Sequence, residues 1–90
     1  MAQAIVDPEE IRRFAHHLKQ FSDELKDRMA VLHGQLAGLG DSWRDQEHDR
    51  FLQEFEQTGH VLEAFMASAE RHIPFLLRKA AKVEEYLAQK

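Results

Sequence analysis

The segment that decides the fold reads AGLGDS over residues 37–42, and it interrupts an otherwise continuous helical pattern. Glycines next to capping side chains are typical of one helix ending and another beginning. We expect Gly38 or Gly40 to close the first helix in the left-handed conformation, and Asp41 or Ser42 to cap the second. Because the connection is short, the sequence predicts two helices that fold back antiparallel, as an αα-hairpin.

The first helix is predicted over residues 8–37. Asp7 is suited to capping, Pro8 to the first helical position, and Glu9 and Glu10 to the positive end of the helix dipole. The apolar residues that follow recur with a spacing close to seven and share one narrow face. They are Ile11, Phe14, Leu18, Phe21, Leu25, Met29, Leu32, Leu36 and Leu39.

The second helix is predicted over residues 42–88, after a loop at 38–41. Its apolar rhythm runs from Phe51 to Leu87 across Pro74, which predicts a kink at the proline rather than a helix end. The apolar sector is wider than one neighbouring helix covers, so we expect two hairpins to pair into a four-helix-bundle dimer. The residues predicted to form the core and dimer face are Leu18, Leu25, Leu32, Phe55, Leu62, Phe65 and Leu76.

The C-terminal arm, residues 75–88, is predicted to extend beyond the first helix. A turn near residue 40 places Arg71 opposite Pro8, and at 1.5 Å per residue the arm then overhangs by about 20 Å. We expect its apolar side chains to form a second contact surface. Those proposed for contact are Phe75, Leu76, Val83 and Tyr86.

Composition limits the chain to one small all-α domain over residues 1–90. It has two Pro, four Gly and no Cys, and a net charge of −4, which argues against a nucleic-acid binder. No stretch has the roughly 18 apolar residues of a membrane span. The N-terminal residues do not resemble a signal peptide, so we expect synthesis in the cytoplasm without one.

The residues that carry chemistry do not indicate an enzyme. The six His include no pair at the i, i+3 or i, i+4 spacing that places two metal ligands together on a helix, so no metal or cofactor is expected. There is no glycine-rich phosphate loop and no nucleophile motif. His48 lies on the apolar side of the second helix, where we expect a partly buried packing residue.

Trp43, the only Trp, directly follows the inter-helix connection. With Leu36 and Leu39 before it and Phe51 after it, between two amphipathic helices, the chain resembles the Trp-x-Gly (ESAT-like) family of small bacterial type VII secretion proteins. Two positions differ from the family pattern. Asp45 stands where the motif has Gly, and Lys90 stands where the C-terminal export signal has an acid, four residues after Tyr86.

The resemblance implies a hairpin that pairs with itself or with a paralogous hairpin, with no nucleic acid and no membrane span involved. It implies a recognition surface at Trp43 and Asp45, the type VII secretion ATPase as a possible partner, and export from the cell by that route. The alternative from the residues alone is a cytosolic coiled-coil interaction module, such as an adaptor or export chaperone. In that case Trp43 serves packing only.

Overall fold

The computed structural model describes residues 6–89 and contains two helices, α1 (Pro8–Leu39) and α2 (Gln46–Ala88). They pack antiparallel as a hairpin 69 Å long and 24 by 18 Å across. The predicted all-α hairpin is therefore confirmed. Over the same residues, neither helix is both long enough and apolar enough to cross a membrane.

The start of α1 follows the sequence pattern. The Asp7 carboxylate accepts a hydrogen bond from the Glu9 N–H at 2.9 Å, and Pro8 occupies the first helical position. The helix ends at Leu39 rather than at residue 37. Gly40, at its end, has φ −60° and ψ −18°, so the predicted left-handed closure is wrong.

The second helix begins four residues later than predicted, at Gln46. The N–H groups of Ser42 and Trp43 both donate to the Leu39 carbonyl, at 3.1 and 2.7 Å, so the chain is still turning there. Neither Asp41 nor Ser42 caps α2, because both lie within that turn. The cap is Asp45, whose backbone is extended.

The C-terminal part of α2 contacts the first turns of α1. The helix continues through Pro74 to Ala88. Arg12, near the start of α1, forms two hydrogen bonds with Glu84, at 2.5 and 2.8 Å. The prediction that α1 cannot cover the arm is therefore wrong in part, because the arm is bound to α1 as far as Glu84.

The buried seam between the helices is built mainly from small side chains, which let the helix backbones approach closely. No large side chain is fully enclosed among the described residues. Ser22 is buried in this seam, and its hydroxyl has no hydrogen-bond partner. The buried residues are Ala15, Ser22, Leu36, His48, Ala69 and Ala80.

The predicted core and dimer face is only partly covered by the hairpin's own packing. Leu32 and Phe65 are exposed, and Phe65 meets Phe21 edge to face with ring centroids 6.2 Å apart. Nearby, Phe14 and Phe65 line a shallow apolar groove of about 290 Å³. The half-buried members of the predicted face are Leu18, Leu25, Phe55, Leu62 and Leu76.

Candidate functional site at the hairpin tip

Trp43 lies at the hairpin tip, in the connection between the helices, and its side chain is half-buried. One side of the indole meets the His48 ring edge-on, with centroids 5.0 Å apart and planes at 71°. Phe51 lies further along, with ring centroids 6.5 Å apart. The indole therefore packs against the first turns of α2 while part of it faces solvent, an arrangement suited to contact with another protein.

Asp45 forms the N-terminal cap of α2. Its Oδ1 accepts a hydrogen bond from the His48 N–H at 3.0 Å. This bond is the main cause that lowers the pKa of the Asp45 carboxyl below its ordinary value; desolvation opposes it, and the Trp43 side chain adds to the lowering. The carboxylate is thus held ionised beside Trp43, at the positive end of the α2 dipole.

His48 is a buried polar residue at the base of the tip. Its Nε2 lies 3.1 Å from the Leu36 carbonyl oxygen. Because a carbonyl only accepts, Nε2 carries the proton and donates it. The sequence indicated a packing residue here, but the bond to α1 was missed because nothing in the spacing relates His48 to residue 36.

Gly40 allows this close approach. A Cβ added there would lie 3.4 Å from His48 Cε1 and 3.2 Å from the Ala37 carbonyl oxygen. At Gly38 the same addition meets nothing within 4 Å. The tight contact of a Cβ at Gly40 is with the backbone carbonyl of Ala37, whereas the His48 ring stands at van der Waals distance. The left-handed role expected for Gly40 from the sequence is wrong.

The four residues proposed on the arm do not lie near the tip. Tyr86, in the last turn of α2, is about 60 Å along the helix from Gln46 at 1.5 Å per residue. Phe75 and Tyr86 are exposed, whereas Leu76 and Val83 are half-buried. Lys90, the other residue of the predicted tail, lies outside the described residues.

The arm is held by charge as well as by packing. The hydrogen bonds from Arg12 are the main cause that lowers the pKa of Glu84, with desolvation opposing them. They also raise the pKa of Arg12. Arg12 donates in addition to Glu9 at 2.7 Å, so one guanidinium joins the first turn of α1 to the end of α2.

The histidines form scattered pairs with carboxylates. His33 lies 3.8 Å from Glu56 across the helices, and His60 lies 3.7 Å from Glu63 on α2. From residue 6 to 89, no three His, Asp or Glu side chains are arranged to hold a metal ion.

Comparison with known proteins assigns the chain to a family. The sequence model of WXG100, described as proteins of 100 residues with WXG, matches residues 3–86. The chain belongs to the WXG100 family. A search of curated protein sequences gives no significant match.

Solved structures similar to this WXG100 chain include a secreted protein, EsxB, from Bacillus anthracis str. Sterne. It is 26% identical, with a TM-score of 0.77, over 96% of this chain and 98% of that one. A single-substitution variant of EsxB is also 26% identical, with a TM-score of 0.76, over 94% of this chain and 98% of that one. These likenesses agree with the ESAT-like hairpin.

The family motif reads Trp43-Arg44-Asp45 in this chain. Asp45 has φ −124° and ψ 179°, an extended conformation that any residue adopts. An aspartate therefore replaces the motif glycine without backbone strain, and its carboxylate caps α2.

Proposed function

We propose that this chain is a small non-enzymatic protein of a bacterial type VII secretion system that acts through protein–protein contacts as a dimer. Family membership supports the secretion context, and the EsxB structures are described as those of a secreted protein. The observation that carries the proposal of dimerisation is the apolar surface that the hairpin leaves uncovered.

That surface is large for a chain of this size. Among the described residues, thirteen large apolar side chains are exposed over the hairpin as a whole, whereas Leu36 is the only large one that is buried. Phe14 and Phe21 remain 58% and 53% exposed and lie near the exposed ring of Phe65. Monomeric proteins rarely expose contiguous apolar patches larger than a few hundred Å². A second hairpin on this face would complete a four-helix core.

The charge distribution favours a second copy of the same chain. Residues 41–56, at the tip, hold six acids and two bases, whereas residues 71–89, on the arm, hold four bases and two acids. In an antiparallel homodimer, the acidic tip of one copy lies beside the basic arm of the other. Complementary potentials of this kind steer association and fix orientation. A paralogous hairpin is the other possible partner.

Export and recognition complete the proposal. We infer that the chain leaves the cell by the type VII route and that its tip, with Trp43 and Asp45, contacts the secretion ATPase. The half-buried indole beside an ionised carboxylate supports this role for the tip. The exposed Phe75 and Tyr86 supply a second contact at the other end of the hairpin.

The test is an export assay in the source bacterium, with a tagged chain measured in culture supernatant and in cells. Deleting the type VII ATPase is expected to retain the chain inside the cell. Trp43→Ala is expected to abolish export while the purified protein stays helical and dimeric. The control is Glu70→Ala, because Glu70 is an exposed polar residue of α2 away from the tip.

Two outcomes would overturn the proposal. Export that persists without the ATPase would exclude the type VII route. A chain that stays in the cytoplasm of the wild-type strain, while pairing normally, would favour the coiled-coil adaptor instead.

A further inference from the structure

We propose that His48 is a positioning residue that holds the Trp43 indole in its half-exposed orientation by tying the last turn of α1 to the first turn of α2. The functional consequence rests on the proposed role of Trp43 in recognition. The positioning itself rests on the geometry of the tip alone.

The first step is a hydrogen bond that α1 cannot make for itself. The Gly40 N–H turns to the Ala37 carbonyl, at 3.1 Å, so the Leu36 carbonyl loses the donor that a continuing helix would supply. The His48 Nε2–H takes that place from the other helix, at 3.1 Å. A buried carbonyl left without a donor is costly, so this bond specifies where the His48 ring lies.

The second step fixes the ring from the remaining sides. The backbone N–H of His48 is held by the Asp45 carboxylate, and Gly40 lies beside Cε1 of the ring, where an added Cβ would be in contact with it. The Asp49 carboxylate lies 3.9 Å from Nδ1, too far for a hydrogen bond. The ring therefore has one defined orientation, set by α1 on one side and by the α2 cap on the other.

The third step is the contact through which the fixed His48 ring positions the Trp43 indole. The indole packs on the edge of the fixed ring, with centroids 5.0 Å apart, and its backbone N–H is held by the Leu39 carbonyl at 2.7 Å. The end of α1 therefore positions Trp43 in two ways: it binds the Trp43 backbone directly, and it binds the His48 ring on which the indole packs. Without His48, the backbone bond and the neighbours Phe51 and Asp45 would remain, but the indole would lose the ring that lies nearest to it.

The test uses Trp43 fluorescence, which reports the tip alone because no other Trp is present. His48→Phe keeps a ring beside the indole but removes the donor to Leu36, and His48→Gln keeps a donor but removes the ring. His48→Leu removes both. We expect acrylamide quenching of Trp43 to rise and its emission to shift to longer wavelength, most strongly in His48→Leu. Circular dichroism establishes that each variant is folded.

Two further variants separate positioning from general stability. Gly40→Ala places a Cβ 3.2 Å from the Ala37 carbonyl oxygen and in contact with the His48 ring, so the end of α1 must shift beside that ring and we expect quenching of Trp43 to increase. Gly38→Ala, with open space around it, is expected to leave quenching unchanged. Leu62→Ala removes a half-buried side chain far from the tip. It is expected to lower the unfolding midpoint without changing the fluorescence of the folded protein.

The outcomes distinguish this proposal from the proposed function. Trp43 quenching and emission in His48→Leu that match the wild-type values would overturn the positioning role. If quenching changes as expected but Trp43→Ala is exported normally, positioning stands and recognition through the tip fails. If both hold, His48→Leu is expected to reduce export although Trp43 is intact.

Discussion

Leu32 and Leu36 lie one helical turn apart on α1 and separate hairpin stability from dimerisation. Leu36 is 7% exposed and packs within the hairpin, whereas Leu32 is 48% exposed on the proposed dimer face. Leu36→Ala creates a cavity at the tip, and we expect it to reduce the free energy of unfolding by about 2–4 kcal/mol. Because we expect the dissociated chain to lose helicity, this loss within each hairpin also weakens the dimer, whereas Leu32→Ala removes a contact between hairpins.

Leu32→Ala is expected to act mainly on association. Burying a whole Leu side chain contributes about 1.5–3 kcal/mol, so covering the exposed half contributes about 1 kcal/mol per copy. A symmetric dimer contains Leu32 twice, which makes the expected loss about 2 kcal/mol, or about 30-fold in the dimer Kd.

Sedimentation equilibrium over a concentration series measures the dimer Kd, and urea unfolding followed by circular dichroism measures stability. Unfolding is compared at several protein concentrations, because dimerisation adds to apparent stability. An unchanged Kd in Leu32→Ala would refute the assignment of this face.

Three further predictions concern the seam, the arm and the tail. Ser22→Ala removes a buried hydroxyl that lacks a partner, so we expect a gain of about 1 kcal/mol in unfolding free energy, or about 4–8 °C in Tm by calorimetry. The pKa of Glu84 is lowered from its ordinary value of 4.5, so its stabilising contribution is present above that pH and is lost as the pH falls through the folded-state pKa. Glu84→Gln should therefore lower the urea midpoint at neutral pH and show a smaller decline on acidification, and added salt should narrow the difference. Lys90→Glu restores an acid four residues after Tyr86, and we expect secretion to rise in the export assay, whereas Tyr86→Ala should cancel that gain.

Each of these predictions has an outcome that contradicts it. A Ser22→Ala protein that is less stable would mean that the hydroxyl is satisfied in solution. Identical acid profiles for Glu84→Gln and wild type would mean that the Arg12 bonds do not persist. Unchanged secretion in Lys90→Glu would mean that the chain does not use the tail signal.

Fold class was readable from the sequence because local signals agree with one another. Asp7 and Pro8 mark the start of α1, the seven-residue apolar rhythm marks one apolar face, and the glycine-rich segment marks the reversal. Trp43 beside that reversal, in a chain of this length with two amphipathic helices, indicated the family that the WXG100 model confirms. These features depend on neighbours in the sequence, which pattern analysis reads directly.

Contacts between residues that are far apart in the chain could not be predicted from the sequence. Asp41, Ser42 and Asp45 all resemble helix caps, and only the turn bonds to Leu39 decide that Asp45 is used. The predicted pairing placed Arg12 opposite residue 67, so the contact of its long side chain with Glu84 was not foreseen.

The contacts at the hairpin tip could not be predicted from the sequence either. His48 at the edge of an apolar stripe predicts packing, but its bond to the Leu36 carbonyl depends on how closely the helix ends approach. Gly40 is another example, because only the three-dimensional structure shows that a Cβ there would lie 3.2 Å from the Ala37 carbonyl oxygen and touch the His48 ring. Composition and spacing carry no information about either distance.

The central claim is that the hairpin completes its core by pairing through its uncovered apolar face. Sedimentation of the purified wild-type chain, from micromolar down to nanomolar concentration with helicity measured on the same samples, tests it most directly. We predict a species of about twice the 10.5 kDa chain mass at the higher concentrations, with dissociation and loss of helicity occurring together on dilution. A compact species of 10.5 kDa that keeps full helicity at every concentration would contradict the account.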